Sequence, residues 1–154
     1  MVNSSSQLGY SLKQAQSVLH LRMEEALNPL DLSVSQYSCL FHLRREAGIS
    51  AAELARRTFV TRQSMNAMLQ QLIDRGLVAR SERAAIGRAL PSELTAAGSK
   101  TLESAQRLVD DVERRMLSGL SPTDVGALAV GLDACIQALS DSSETEGVQA
   151  SRAV

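Results

Sequence analysis

From Thr61 to Asn66 the chain reads Thr-Arg-Gln-Ser-Met-Asn, a run of hydroxyl, guanidinium and carboxamide groups broken by one apolar residue. Such a set can hydrogen-bond to the edges of bases. Arginine spans O6 and N7 of guanine, and Gln or Asn spans N6 and N7 of adenine. Hydroxyls at the start of a helix suit a phosphate, which the helix N-terminus itself favours. Thr61, Arg62, Gln63, Ser64 and Asn66 are therefore candidate contacts to double-stranded DNA. Further on, Arg80, Arg83 and Arg88 lie in a polar stretch. A thin basic loop can enter a minor groove, where narrowed A·T tracts concentrate negative potential. Arg80 belongs to a strand rather than to the loop, so Arg83 and Arg88 are the candidates there. The catalytic alternative has no support: G-x-S-x-G, P-loop, G-x-G-x-x-G and H-E-x-x-H motifs are all missing from the sequence. The two cysteines and two histidines have no metal-ligand spacing. An enzyme, a metal site and a cofactor are not expected.

These residues need elements to position them. Ser50 and Glu53 form an S-x-x-E capping box that opens a short helix over 51–57, with Leu54 and Ala55 inward. Thr58-Phe59-Val60 is the turn, with Phe59 and Val60 expected to plug the angle between two helices. Thr61 caps the next helix, which runs to Arg75 and buries Met65, Met68, Leu69, Leu72 and Ile73; Gly76 ends it. The polar residues named above fall outside that apolar face. Leu77–Arg80 alternates as a strand, Ser81–Gly87 is a basic loop, and Arg88–Pro91, with up to two residues more, returns as a second strand. Pro91 lacks a donor, so the hairpin should be small and open at one edge. Upstream, Ser33 and Gln36 make another capping box for a helix from Val34, with Tyr37, Cys39, Leu40, Phe41 and Leu43 inward and Gly48 as a left-handed terminator. Ile49 is expected to add a short bridge to the hairpin.

The flanks read as helices with apolar stripes. Leu8, Leu12, Ala15, Leu19 and Met23 line a helix from Gln7 to about Leu27, stopped by Asn28-Pro29. Leu102, Ala105, Val109, Val112 and Met116 line another. After Gly119, Ser121-Pro122-Thr123-Asp124 starts a last helix with Val125, Leu128, Leu132, Cys135 and Leu139. Three such stripes exceed what one small lobe can cover, and a second copy of the chain is the expected cover. Past Ser140 the polar composition points to disorder. The interior must be aliphatic, because only 3% of the 154 residues are aromatic. No apolar run approaches the roughly 20 residues of a membrane span, and the opening MVNSSSQLGYSLK lacks the pattern of a secretory signal. A cytoplasmic location follows as the expectation. The net charge of -1 is unevenly placed. Residues 44–88 carry nine arginines against four acids, while 89–154 carry five bases against ten acids. One DNA-facing segment and ends that face something else would give that pattern.

Taken in order, Leu32-Ser33-x-x-Gln36, Glu53-Leu54-Ala55, Leu72-x-x-x-Gly76-Leu77-Val78-x-Arg80 and Leu94-Thr95-x-x-Gly98 resemble the MarR family of winged helix–turn–helix regulators. The resemblance implies a mainly α fold with a small β-hairpin wing, and a single domain over 1–154. Within it, 32–94 would be the winged helix–turn–helix DNA-binding lobe, 7–28 and 95–140 a helical dimerisation region, and 141–154 a disordered tail. It also implies a homodimer, DNA contact through the second helix of the pair and the wing, and repression relieved by a small molecule. The family commonly has Asp-x-Arg before the Leu-Thr; here Arg88 matches the arginine while Ile86 replaces the acid. The carboxylate that would brace the wing arginine is missing, leaving Arg83 or Glu82 to take part of that role. By the same resemblance an aromatic or phenolic acid would bind among Leu12, Gln16, His20, Tyr37, Phe41, His42 and Arg44, with His42 beside Arg44 as the partner for a carboxylate. Two alternatives stand beside this reading. One is a redox-sensing regulator using Cys39, which requires an accessible thiol of lowered pKa. The other is a winged-helix protein-interaction module that binds no DNA, for which the concentration of arginines has no evident purpose.

Overall fold

The computed structural model describes residues 4–80 and 91–150, with side chains over 7–80 and 91–140. The elements run α1 (Ser4–Leu27), a 3-10 turn at Asn28–Leu30, α2 (Val34–Arg45), α3 (Ala51–Arg57), α4 (Arg62–Asp74), β1 (Val78–Arg80), β2 (Ser92–Leu94), α5 (Ala96–Leu117) and α6 (Pro122–Ala150). Helix starts follow local capping chemistry. Ser33 Oγ accepts from Gln36 N and Gln36 Oε1 accepts from Ser33 N, each at 3.1 Å, completing the box at α2. At α3 only half of the expected box forms. Ser50 Oγ accepts from Glu53 N at 3.1 Å, but the Glu53 carboxylate turns to Arg56 and Arg57 instead of back to Ser50. The two guanidinium groups give the carboxylate three charge-assisted bonds where the box would give it one, so the arginines win.

The chain divides into two compact units, Met1–Glu113 and Arg114–Val154. The core of the first is almost wholly aliphatic: Leu27, Leu40, Leu54, Met65, Leu72, Val78 and Leu102 are fully buried with Cys39 among them. Burying each large apolar side chain stabilises by roughly 1.5–3 kcal/mol, and these come from α1, α2, α3, α4, β1 and α5, so one cluster fixes the placement of the whole lobe. Ile49 is buried in that cluster rather than bridged to the hairpin.

The hairpin is antiparallel with Val78 opposite Leu94, Ala79 opposite Glu93 and Arg80 opposite Ser92. The described part of its second strand is Ser92–Leu94, which takes in the two residues allowed beyond Pro91; Arg88, Ala89 and Leu90 lie outside the described residues, and Pro91, with no N–H to donate, is not in the strand. Thr95 then clasps the end of α4 to the start of α5. Its N–H donates to Leu77 O at 3.1 Å, its Oγ1 donates to Gly76 O at 2.6 Å, and the same oxygen accepts from Gly98 N at 3.0 Å. Gly98 permits the approach: a Cβ there would lie 1.9 Å from Leu77 O. The Leu-Thr-x-x-Gly pattern is thus a packing requirement of this junction.

In the second unit, Ser121 caps α6 and its Oγ donates to Asp124 Oδ2 at 2.6 Å. The helix extends to Ala150, so 141–150 is helical rather than the disordered tail expected from polar composition. That stretch holds no proline, and helix propensity tolerates its Ser, Glu and Gln. Residues 151–154 lie outside the described residues. No described helix is long and apolar enough to cross a membrane.

Candidate nucleic-acid interface

α4 has two faces of opposite character. Met65, Leu69 and Leu72 are buried and Met68 and Ile73 are half-buried against the core, as their spacing predicts. Thr61, Arg62, Gln63, Ser64 and Asn66 are all exposed. Thr61 Oγ1 accepts from Ser64 N at 3.1 Å and donates to Ser64 Oγ at 2.8 Å. Both hydroxyls are therefore organised by the cap and remain at the surface, beside the N–H groups of the first turn. Arg62 has no ion pair among the described residues. The structure thus brings together all five candidates of this helix at one end of it. Of the wing candidates, Arg83 and Arg88 lie outside the described residues, as does Ile86. Arg80 ends β1, exposed.

The turn before α4 departs from expectation. Phe59 does not plug the helix angle; it is 96% exposed. Its backbone is left-handed, with φ +57°. Phe59 N donates to Arg56 O at 3.4 Å and Val60 N to Ala55 O at 3.0 Å. These are the two bonds of a Schellman motif, in which the residue at the position of Phe59 is usually glycine. Val60, one residue on, is the one that packs against the core. Left-handed φ points the preceding side chain away from the lobe and destabilises a non-glycine residue by roughly 1–2 kcal/mol. Apolar periodicity across a turn carries no information about this, which is why the sequence reading placed both residues inward.

Arginines near the interface are not all at liberty. Glu53 takes Arg56 at 2.6 and 3.0 Å and Arg57 at 2.8 Å, and Arg57 also reaches Glu46 at 2.8 Å. Hydrogen bonds from Arg56 and then Arg57 hold the Glu53 carboxyl down at about 2. Arg75 donates to Asp31 O at 2.6 Å and Leu30 O at 3.1 Å, a structural tie between the end of α4 and the turn after α1. Sequence reasoning missed both clusters: it gave Glu53 to the Ser50 box rather than to the arginines of its own helix, and Glu46 and the carbonyls of Leu30 and Asp31 lie in other elements.

The seven pocket candidates separate into two groups. Tyr37, Phe41 and His42 adjoin on α2, with ring centroids 6.2 Å apart for Tyr37–Phe41 and 5.6 Å for Phe41–His42. Tyr37 Oη donates to Gln106 Oε1 of α5 at 2.9 Å, and burial first, then Asp110, raises the phenol's pKa. Burial and then Arg57 and Arg45 lower the His42 pKa, so the imidazole is neutral near pH 7. Arg44 is exposed on the same helix. Leu12, Gln16 and His20 are exposed on α1; no hydrogen bond or ring contact among the described residues joins them to the α2 group, and His20 Nε2 faces Glu24 at 3.8 Å. An open groove of about 560 Å³ lies elsewhere, between Glu24, Asp31, Ser33, Gln36, Gln71 and Arg75, and shares none of the seven.

Cys39 fails the requirement for a redox sensor. It is fully buried, its Sγ lies 3.9 Å from Met65 Sδ, and burial pushes the thiol up to about 12. A thiolate is the reactive form, so Cys39 is a small core residue. Cys135, in α6, is exposed in the chain. Among the described residues no cluster of His, Cys, Asp or Glu could hold a metal ion.

The model of the MarR family matches residues 30–89. The HTH-type transcriptional repressor Rv2887 of Mycobacterium tuberculosis is 40% identical over 114 residues, covering 74% of this chain and 82% of the relative. Its crystal structure in complex with salicylic acid matches with a TM-score of 0.70 at 37% identity, covering 83% of this chain and 95% of that one. Its structure in complex with DNA matches with a TM-score of 0.69 at 34% identity, covering 83% and 96%.

Proposed function

This chain belongs to the MarR family of winged helix–turn–helix regulators that bind DNA and control transcription, and on that premise we propose that it is a cytoplasmic repressor that binds a pseudo-palindromic operator as a homodimer. The observation that carries this reading is the exposed polar start of α4, Thr61 to Asn66, held rigidly by the buried Met65, Leu69 and Leu72 behind it. Arg62 is positioned for guanine, Gln63 and Asn66 for adenine, and Thr61 with Ser64 for phosphate. Arg83 and Arg88 serve the adjacent minor groove. Two such helices must enter successive major grooves, about 34–36 Å apart.

Apolar surface supports the homodimer. On α1, Leu8 is 64% exposed and Leu12 and Val18 are also open; on α6, Leu139 is 75% exposed, with Leu128, Val130 and Ile136 open as well. Leu8 and Leu12 on α1, and Leu128 and Leu139 on α6, belong to helix stripes that a partner helix would cover. The effector we propose is an aromatic carboxylic acid, supported by the salicylic acid complex of the relative and by the aromatic rings and arginine on α2. Tyr37, Phe41 and Arg44 share one helix face, and a neutral His42 would donate or accept a hydrogen bond rather than supply charge. Leu12, Gln16 and His20 would join them only from another protomer or after movement. Binding that favours one separation of the two α4 helices over another would release the operator.

Selection of duplexes from a random pool by the purified protein, followed by mobility shift, tests the reading. A two-fold symmetric consensus is expected. Arg62→Ala should weaken binding to that consensus more than to unrelated duplex, and salicylate should release it. Absence of salt-sensitive binding to any duplex would overturn the regulator reading; operator binding indifferent to aromatic acids would remove the effector part alone.

A further inference from the structure

Phe59 stands two residues before the cap of α4, and three features of it coincide. Its phenyl ring is 96% exposed, its backbone is left-handed at φ +57°, and both bonds of the Schellman motif hold it there. A glycine would satisfy the same turn without strain and without an open apolar surface. Strain kept at a surface position points to a contact made there. The surroundings say which kind. Of the three arginines from Arg56 to Arg62, Arg56 and Arg57 are paired with Glu53 and Glu46, while Arg62 has no ion pair among the described residues, and the turn runs directly into the exposed polar start of α4. A turn that leads straight into Arg62 and the rest of a DNA-reading helix start faces a polyanion. A phenyl ring brought to DNA has no donor or acceptor to offer, and its complement on a base edge is the C5-methyl of thymine.

We propose that Phe59 is a specificity-determining residue whose ring packs on a thymine methyl at the edge of the major groove, beside the entry of α4. The proposal rests on the reading that the start of α4 faces DNA. It explains why the turn carries a large apolar side chain that the core does not use: Val60 packs on the core and Phe59 is left for the nucleic acid.

The test uses the duplex selected by the wild-type protein and a series in which each thymine in turn is replaced by uracil, which lacks only the methyl group. Two variants are compared, Phe59→Gly and Phe59→Asn, since both residues accept the left-handed conformation. Both should fold, and Phe59→Gly should melt at a higher temperature than the wild type. Each should bind the selected duplex roughly four- to tenfold more weakly, the loss of one buried methyl contact being worth about fourfold. The wild type should lose about fourfold at one uracil position in each half-site, and the variants should be indifferent to that position. Full affinity and an unchanged consensus in both variants would overturn the proposal. So would a wild type indifferent to every uracil, even with weakened variants, since the ring would then rest on sugar or serve another partner. Arg62→Ala separates the two levels. If it weakens operator binding while the Phe59 variants do not, only the Phe59 assignment falls; if Arg62→Ala also binds with full selectivity, the reading of α4 falls with it.

Discussion

Substituting alanine for Gly98 tests the junction on which the DNA lobe depends. The added Cβ would lie 1.9 Å from Leu77 O, 2.9 Å from Leu77 C and 3.3 Å from Leu77 Cα. All three are backbone atoms, so no side chain can swing aside. An ordinary carbon–oxygen contact is about 3.4 Å, and α5 or β1 must therefore shift by about 1.5 Å. Overpacking of that kind destabilises by roughly 1–3 kcal/mol. The shift also stretches the bonds Thr95 makes to Gly76 O and Leu77 O, now 2.6 and 3.1 Å. Losing both adds about 1–3 kcal/mol. Against this, alanine improves helix propensity by up to about 1 kcal/mol. The net expectation is a destabilisation of about 2–4 kcal/mol, a fall in melting temperature of roughly 5–15 °C for a chain of this size. Circular dichroism melts of Gly98→Ala would measure it, with Gly9→Ala as the control. A Cβ at Gly9 meets nothing within 4 Å, so that variant should hold or gain stability. A Gly98→Ala protein as stable as the wild type would show that α5 does not pack on Leu77 as described.

Three further outcomes follow from side-chain environments. Glu53, drawn from an ordinary 4.5 down to about 2 by Arg56 and Arg57, contributes stability that is fully present above pH 4.5 and lost as pH falls through about 2; carbon-detected NMR should give the carboxyl midpoint near 2, and Glu53→Gln should flatten the acid limb of the stability curve. His42 has a lowered pKa, so the folded state prefers the neutral ring and loses stability as pH falls below the ordinary value of 6.5 toward the lowered one; His42→Gln should reduce that loss, and equal pH profiles would contradict the burial described. Cys39, with its thiol pushed up to about 12, should resist alkylation at pH 8 until the protein unfolds, and peroxide should leave DNA binding of a Cys135→Ser variant unchanged.

Element starts were legible because their causes are local. Ser33, Ser50, Thr61 and Ser121 each accept from the N–H three residues on, and a cap needs only its own neighbours. The buried face of α4 was legible for a similar reason, since helical periodicity alone separates Met65, Leu69 and Leu72 from Arg62, Gln63 and Asn66. What escaped depends on several partners competing for one side chain, on atoms distant in sequence or on a single dihedral angle. Glu53 abandons its box for arginines that compete with the backbone. Phe59 and Val60 are adjacent apolar residues, and only the left-handed φ of the first decides that one faces solvent and the other the core. The stripes of α1 and α6 were legible as stripes, yet what covers them is a property of two chains, not of one.

Charge is where sequence and structure together say more than either does. Nine arginines between residues 44 and 88 favour DNA binding, but the total overstates what phosphates can meet. Arg56 and Arg57 are held by Glu53 and Glu46, Arg75 by two backbone carbonyls, and Arg45 lies 5.5 Å over the Phe41 ring. Removing those four leaves Arg44, Arg62, Arg80, Arg83 and Arg88. Each phosphate neutralised contributes about −0.9 to the slope of log K against log salt on duplex DNA. If every arginine of a homodimer met a phosphate, the slope would be about −16; with the remaining five per chain it cannot exceed about −9 in magnitude. Arg62 on a base edge would lower it again. Mobility shifts across a salt series should therefore give a slope of about −9 or shallower, and Glu53→Gln, by releasing Arg56 and Arg57, should steepen it. A wild-type slope near −16 would mean that DNA strips these arginines from their carboxylates on binding, and that the ion pairs of the free protein are a resting state rather than a fixture.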